Sequence, residues 1–285
     1  MINASRYRLS AEINRQTQLA RDIGRLQTEI STGKRILAPS DDPTAAARVS
    51  EIGRTQADEQ AYRRNLDTAA ALAQRADTAL ASVTTAVDRA RELMLSAGSG
   101  TVSADERAIV AGELRGLAEQ ITALASSRDS RGALLFSAGD PLEIPVAEGI
   151  SVVAVGSRAE YFETIGTAAG PQSFVDILNG AADALVVADN GLRQVAVDEA
   201  LVELEAAVEH VATVAGHQGI RAARIDSMQD RAADSQVQLQ EERIGLEAIN
   251  FPEVVASLES KKLSLEAAQA VFARVNQTSL FDLLR

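Results

Sequence analysis

Apolar side chains recur every seven residues through a stretch that contains no proline. Leu66, Ala73, Leu80, Val87 and Met94 mark one position of the repeat, and Ala69, Ala76, Val83 and Ala90 mark a second, three residues further on. Such spacing draws a continuous apolar stripe along one side of an α-helix, as coiled-coil packing requires. Between Pro43 and about Ala97 only Gly53 interrupts the pattern, which predicts one unbroken helix. At roughly 1.5 Å per residue it would run about 80 Å. A helix of that length outgrows a compact domain, so the fold must be built from long helices lying side by side.

Both ends of the chain carry the same kind of stripe. Near the amino end Leu19, Ile23, Leu26 and Ile30 follow one another at four, three and four residues, and Ile2 and Leu9 continue the phase upstream. Near the carboxyl end Phe251, Leu258, Leu265 and Phe272 fall seven apart, with Val254, Ala268 and Val275 at the partner positions and Leu280 and Phe281 beyond them. The sequence therefore predicts two terminal helices that zip together and offer a seam for assembly. Lys261 is the one charged member of the carboxyl stripe, and it is read as a side chain snorkelling from a frayed edge rather than as a device that sets register. A thirty-residue helix with so narrow a seam is marginal alone, because ordering its backbone costs roughly 1–2 kcal/mol per residue. The ends are expected to order as they assemble.

The breaks between helices are also written in residue types. The first seam stops at Thr32-Gly33-Lys34, and Pro39-Ser40-Asp41-Asp42-Pro43 follows with a turn, an N-cap at Asp42 and a proline at the first helical position. Asp41 and Asp42 are thus read as helix-cap carboxylates and not as an acid–base pair. Gly98-Ser99-Gly100 ends the long helix, and Ser103 with Glu106 forms a capping box for the next, which runs through Ile109, Leu114, Leu117, Ile121 and Leu124 to about Arg128. From Ala133 to Gly170 glycine and proline become frequent, and residues 150–155 and 161–165 read as short strands. Helical patterning resumes at Ser173 and continues past Asn190-Gly191 to the end, with Pro252 where a fresh helix can start. The expected fold is mainly α: a long antiparallel coiled-coil helical bundle with a small α/β or β-rich outer insertion. Its expected parts are a terminal core of 1–42 with 250–285, a helical bundle of 43–132 with 189–249, and a small outer domain of 133–188.

Composition removes most chemical functions. Only 3% of the chain is aromatic and tryptophan is absent, so the large anchors that line small-molecule pockets are missing. Without cysteine there is no thiolate, disulfide or redox chemistry. His210 and His217 lie seven apart with no third ligand nearby and are read as solvated helix residues. No glycine-rich phosphate loop is present, and Arg63-Arg64 and Lys261-Lys262 are isolated basic pairs without aromatic residues between them. No catalytic residue, cofactor or metal site is expected, and the chain is expected not to be an enzyme. The formal charge of −12 disfavours nucleic acid and anionic membrane surfaces, and no apolar stretch suffices for membrane insertion. Its sign is uneven: residues 1–35 hold seven Arg or Lys against three acids, whereas 226–260 hold eight acids against two arginines. The two ends should attract each other. Taken alone, composition suggests a soluble cytoplasmic protein.

The turn and the terminal seams carry a more specific pattern. Ile30-Ser31-Thr32-Gly33-Lys34-Arg35-Ile36, followed by Pro39-Ser40-Asp41-Asp42-Pro43, resembles the amino-terminal signature of bacterial flagellins and their junction relatives. Asp42-Pro43-Thr44-Ala45-Ala46-Ala47-Arg48, Tyr62-Arg63-Arg64-Asn65-Leu66 and Ser279-Leu280-Phe281-Asp282-Leu283 are most similar to the hook-associated branch, which joins hook to filament. The ending Leu283-Leu284-Arg285 looks more like that of a flagellin. The resemblance covers residues 1–140 and 173–285. It implies a structural subunit secreted through the flagellar export channel without a cleaved signal, helped by an export chaperone, and resident in the extracellular flagellum. Its implied partners are its own copies and other axial proteins, namely an adjacent hook-associated protein and flagellin. A filament flagellin and, from another class, a coiled-coil signalling scaffold are the alternatives; a scaffold of that kind would carry a membrane span or an input domain.

Overall fold

The computed structural model describes residues 2–99, 102–129 and 131–282, with the side chains of 2–6, 8, 9 and 275–282 outside the description. Six helices account for most of it: α1 (Ile2–Thr32), α2 (Pro43–Ala97), α3 (Ala104–Ala125), α4 (Phe174–Leu185), α5 (Asn190–Glu247) and α6 (Phe251–Asp282). Four short strands lie between α3 and α4: β1 (Glu143–Ala147), β2 (Ile150–Val153), β3 (Ile165–Thr167) and β4 (Gly170–Gln172). None of the described helices is long and apolar enough to cross a membrane. The fold is mainly α with a small β-containing insertion, as the sequence predicts.

Helix boundaries follow from local chemistry. Gly33 adopts φ +67°, a left-handed conformation costly for other residues, and its N–H donates to the Glu29 carbonyl at 2.8 Å to close α1. Asp42 caps α2 by accepting the Ala45 amide at 3.0 Å. Gly98 closes α2 against α5 so tightly that a Cβ there would meet Val197 Cγ1 at 2.8 Å. Complete capping boxes start α3, through Ser103 and Glu106, and α4, through Ser173 and Asp176. Asp189 caps α5 by accepting the Leu192 amide at 2.9 Å.

The described chain forms two compact units, and α2 and α5 each run through both. The middle unit, Asp58–Asp234, holds one continuous core. Leu66, Ala73, Leu80, Val87 and Met94 of α2 are all buried, together with Leu114 and Ile121 of α3, Ile177 and Leu178 of α4, and Leu204 and Val211 of α5. The insertion shares this core rather than standing apart, since Phe136, Val152, Tyr161, Phe162 and Ile165 belong to the same cluster. Phe136 meets the Tyr161 and Phe162 rings edge-on at 5.6 and 4.8 Å.

Two expectations are corrected in this unit. Residues 161–165 do not form one strand: 159–163 make a single π-helical turn, and only then does β3 begin, paired antiparallel with β4. Tyr161 and Phe162 are neighbours and both buried, which a strand with one face in solvent does not give and a helical turn permits. His210 is also not solvated. It is half buried with its ring 5.8 Å from Phe174, and burial lowers its pKa.

A buried polar network fastens the insertion to the helices. The Tyr161 hydroxyl donates to Gln218 Oε1 at 2.6 Å and accepts the Gly156 amide at 3.1 Å, while Gln218 Nε2 donates to the Ala154 carbonyl at 3.0 Å. Arg221 also donates to the Tyr161 hydroxyl and pairs with Glu160 at 2.9 Å. Gln218 is fully buried, and with its Nε2 also reaching the Ala73 carbonyl at 3.4 Å these partners satisfy its amide.

Candidate assembly interface

The terminal unit comprises the residues up to Ala57 and those from Ser235 onward, and its main feature is the pair α1 and α6. The helices run antiparallel, because Asp22 pairs with Lys261 while Lys34 bridges to Ala248. On α1, Leu19, Ile23, Leu26 and Ile30 are half buried; on α6, so are Val254, Leu258, Leu265 and Phe272. Phe251, at the start of α6, keeps 54% of its surface exposed. The side chains of Leu9, Val275, Leu280 and Phe281, like the ending 283–285, lie outside the described residues. In the whole described terminal unit only Ala45 and Ile52, both on α2, are fully buried apolar residues. A two-helix pair covers one side of each seam residue and leaves the other side open, so partial burial is what this geometry gives.

Lys261 departs from the expected snorkelling. It reaches across the seam to the Asp22 carboxylate, whose pKa is lowered chiefly by that hydrogen bond. Each of the two is about one-third exposed, so the pair contributes less to stability than to which residues face each other. Glu29 is the one acid buried in α1, held by Arg25 at 2.9 Å. Nothing in the apolar spacing marks either contact.

The two helix breaks of this unit are tied to one another. The Arg35 amide donates to the Glu247 carbonyl at 2.7 Å, and the Ile249 amide to the Gly33 carbonyl at 3.2 Å. Arg35 Nε donates to the Leu246 carbonyl at 2.9 Å, and Lys34 pairs with Glu247 at 2.8 Å. The loop 33–42 therefore lies against the break 248–250. Of the basic residues in 1–35, Lys34 reaches the acidic segment through Glu247, whereas Arg25 and Arg35 pair locally with Glu29, Asp41 and Asp42; beyond that end, Arg48 pairs with Glu242 at 2.6 Å.

Asp41 and Asp42 divide the capping work. Asp42 caps α2, and the Ala45 amide with Arg35 holds its carboxyl below the usual range. Asp41 instead accepts the Ala38 and Leu37 amides at 2.8 and 3.0 Å, which lowers its pKa, and pairs with Arg25 at 3.2 Å. One aspartate starts the helix; the other shapes the loop that precedes Pro43. Among the described residues no group of three or more His, Cys, Asp or Glu side chains is arranged to hold a metal.

Residues 4–139 match the family model of the bacterial flagellin N-terminal helical region. That segment, just under half of the chain, is a flagellin-type amino-terminal helical region. It is 25% identical over 293 residues to flagellar hook-associated protein 3 of Salmonella typhimurium, covering 92% of each chain. It is 26% identical over 288 residues to flagellar hook-associated protein 3 of Escherichia coli, covering 90% of each. The flagellar junction protein FlgL of Legionella pneumophila shares the fold, with a TM-score of 0.57 at 11% identity over 70% of this chain and 100% of that one. The matched region spans most of α1, the capped loop, α2 and α3, and the loop within it is tied to the break at 248–250 outside it.

Proposed function

We infer that this chain is a structural subunit of the bacterial flagellum, a hook–filament junction protein that polymerises through its terminal helices. The observation that carries this reading is the antiparallel α1–α6 pair with its half-open seam, in a chain alignable over nine-tenths of two hook-associated protein 3 relatives. An apolar stripe covered on one side only is completed by further helices. Copies related by a heterologous contact supply those helices and build rings or tubes. Leu9, Leu19, Ile23, Leu26 and Ile30, with Phe251, Val254, Leu258, Leu265, Phe272, Val275, Leu280 and Phe281, form the seam in this proposal. Asp41, Asp42 and Pro43 fix the turn that leads out of it. The partners are copies of the chain, an adjacent hook-associated protein and flagellin, reached after export from the cell with a chaperone. The assembled chain then lies outside the cell.

Imaging a tagged copy on intact flagella tests the place: signal confined to the hook end supports the junction, and signal along the filament makes the chain a flagellin instead. Leu265→Asp tests the route. It should abolish incorporation while the middle unit stays helical by circular dichroism, and normal incorporation would refute the seam.

A further inference from the structure

One face of α5 holds the insertion through polar side chains. In chain order Glu203 accepts from Gln172 Nε2 at 2.7 Å, His210 lies against Phe174, Gln218 bonds Tyr161 and the Ala154 carbonyl, and Arg221 pairs with Glu160. The rings beside them form one run of edge contacts, from Tyr161 through Phe136, Phe162 and Phe174 to His210, with centroids 5.6, 4.8, 6.4 and 5.8 Å apart. The fit leaves no slack: a Cβ at Gly156 would meet Arg221 Nη1 at 2.7 Å and Tyr161 Cε1 at 2.8 Å. Gln218 and Arg221 are matched by their partners, and His210 is not.

His210 Nε2 is sealed from solvent and has no well-aligned hydrogen-bond partner among the described residues. A neutral ring tolerates that site, whereas a protonated one puts a charge beside Phe174 where water cannot reach it. The charged groups on the elements packed against it are committed elsewhere. On the π-helical turn Glu160 is held by Arg221 through both carboxylate oxygens, at 2.9 and 3.1 Å, and Arg158 pairs with Glu163 at 2.7 Å. On α4 Asp176 is engaged in its capping box; on α5 Glu203 takes Gln172, while Glu209 and His217 are exposed. The Glu160 carboxylate and the carbonyls of Glu160 and Tyr161 favour a proton on His210, and burial outweighs them.

We propose that the insertion is a pH-sensitive latch: a proton on His210 frees residues 143–172 from α5 while the helices of the terminal unit stay paired. The sign follows from the burial of the ring. Above about pH 6.5 His210 is neutral in the latched and the freed chain alike, and the latch has its full strength. As pH falls through that value the freed chain takes up the proton first, so latching weakens until the lowered value of the buried ring is passed. Asp22, Asp41 and Asp42 of the terminal unit titrate below the ordinary aspartate range, so the two units respond to acid in separate windows. The latch belongs to the single copy and does not depend on how the chain assembles.

Hydrogen exchange of the full-length chain between about pH 7.5 and 5, corrected for the intrinsic pH dependence of exchange, tests the latch. Protection of residues 150–172 should fall about threefold or more, within a limit of about tenfold for each unit by which the ring's pKa is lowered, while α1 is unchanged. His210→Gln, which cannot titrate, should flatten this dependence, and His217→Gln should leave it intact. The chain has two histidines, so proton NMR of the native protein, assigned with the His217→Gln variant, reads the ring directly and should place His210 below the ordinary value of about 6.5. Protection independent of pH, a dependence that survives His210→Gln, an equal loss throughout α3, or a His210 that titrates at or above the ordinary value would each overturn the proposal.

Discussion

The middle and terminal units use the same seven-residue repeat and bury it differently. In the middle, the α2 stripe is enclosed by α3, α4, α5 and the insertion, and its members are sealed from solvent. At the ends, α1 and α6 have only each other along most of their length, and every described seam residue keeps part of its surface in water. Complete burial of a leucine contributes about 1.5–3 kcal/mol, and partial burial proportionately less. One unit is therefore closed and self-sufficient, whereas the other is held by half-covered leucines, cross-strand charges and a pair of tied turns. A repeat read from sequence gives the position of a stripe; how many helices cover it is a separate matter.

Equal truncations at unequal sites test this contrast most strongly. Leu80→Ala should cost about 2–5 kcal/mol, visible as a lowered thermal midpoint, while Leu26→Ala should cost roughly half as much or less. Equal losses would mean that the seam is as closed as the core. Next in size is Gln218→Leu, which strands the Tyr161 hydroxyl and the Ala154 carbonyl and should cost about 1–3 kcal/mol. Its effect should appear as faster hydrogen exchange in residues 150–165, with α1 unchanged. Gly33→Ala should cost about 1–2 kcal/mol through its left-handed backbone and should loosen only the terminal unit, as read by protease cleavage near residues 33–42. Acid gives the gentlest probe. Asp22, Asp41 and Asp42 have pKa values below the ordinary aspartate range, so their stabilisation is complete above that range and disappears as pH falls through the lowered values. Protection of the α1 amides, corrected for the intrinsic pH dependence of exchange, should then fall at low pH before that of the α2 amides around the buried Leu80 responds.

What the residues made legible was local. Pro43 and Gly98 bound α2, Ser103 with Glu106 starts α3, and Ser173 starts α4, because each signal acts within one turn of helix. The heptad spacing likewise picked out Leu19, Ile23, Leu26 and Ile30 on α1 and Val254, Leu258, Leu265 and Phe272 on α6, which are half buried, whereas Phe251 stays 54% exposed. Contacts between distant residues were not legible. Lys261 found Asp22 and Arg35 found the Glu247 carbonyl through the fold, and neither partner can be deduced from a neighbouring residue type. The same holds for His210, whose burial depends on Phe174 arriving from another helix. Tyr161 and Phe162 failed for a different reason: β-forming residues were drawn into a helical turn by a core that needed both rings and a hydroxyl near Gln218.

The meeting of loop 33–42 with the 248–250 interruption has a mechanical meaning. Had only one of the two strands been broken, any change of direction at the chain ends would have to bend the intact helix beside it and stretch its backbone hydrogen bonds. With both strands interrupted at one level and laced together by main-chain bonds, the molecule has a knuckle. A change of direction there would turn on the torsions of the loop and the break and would leave the helices on either side unbent.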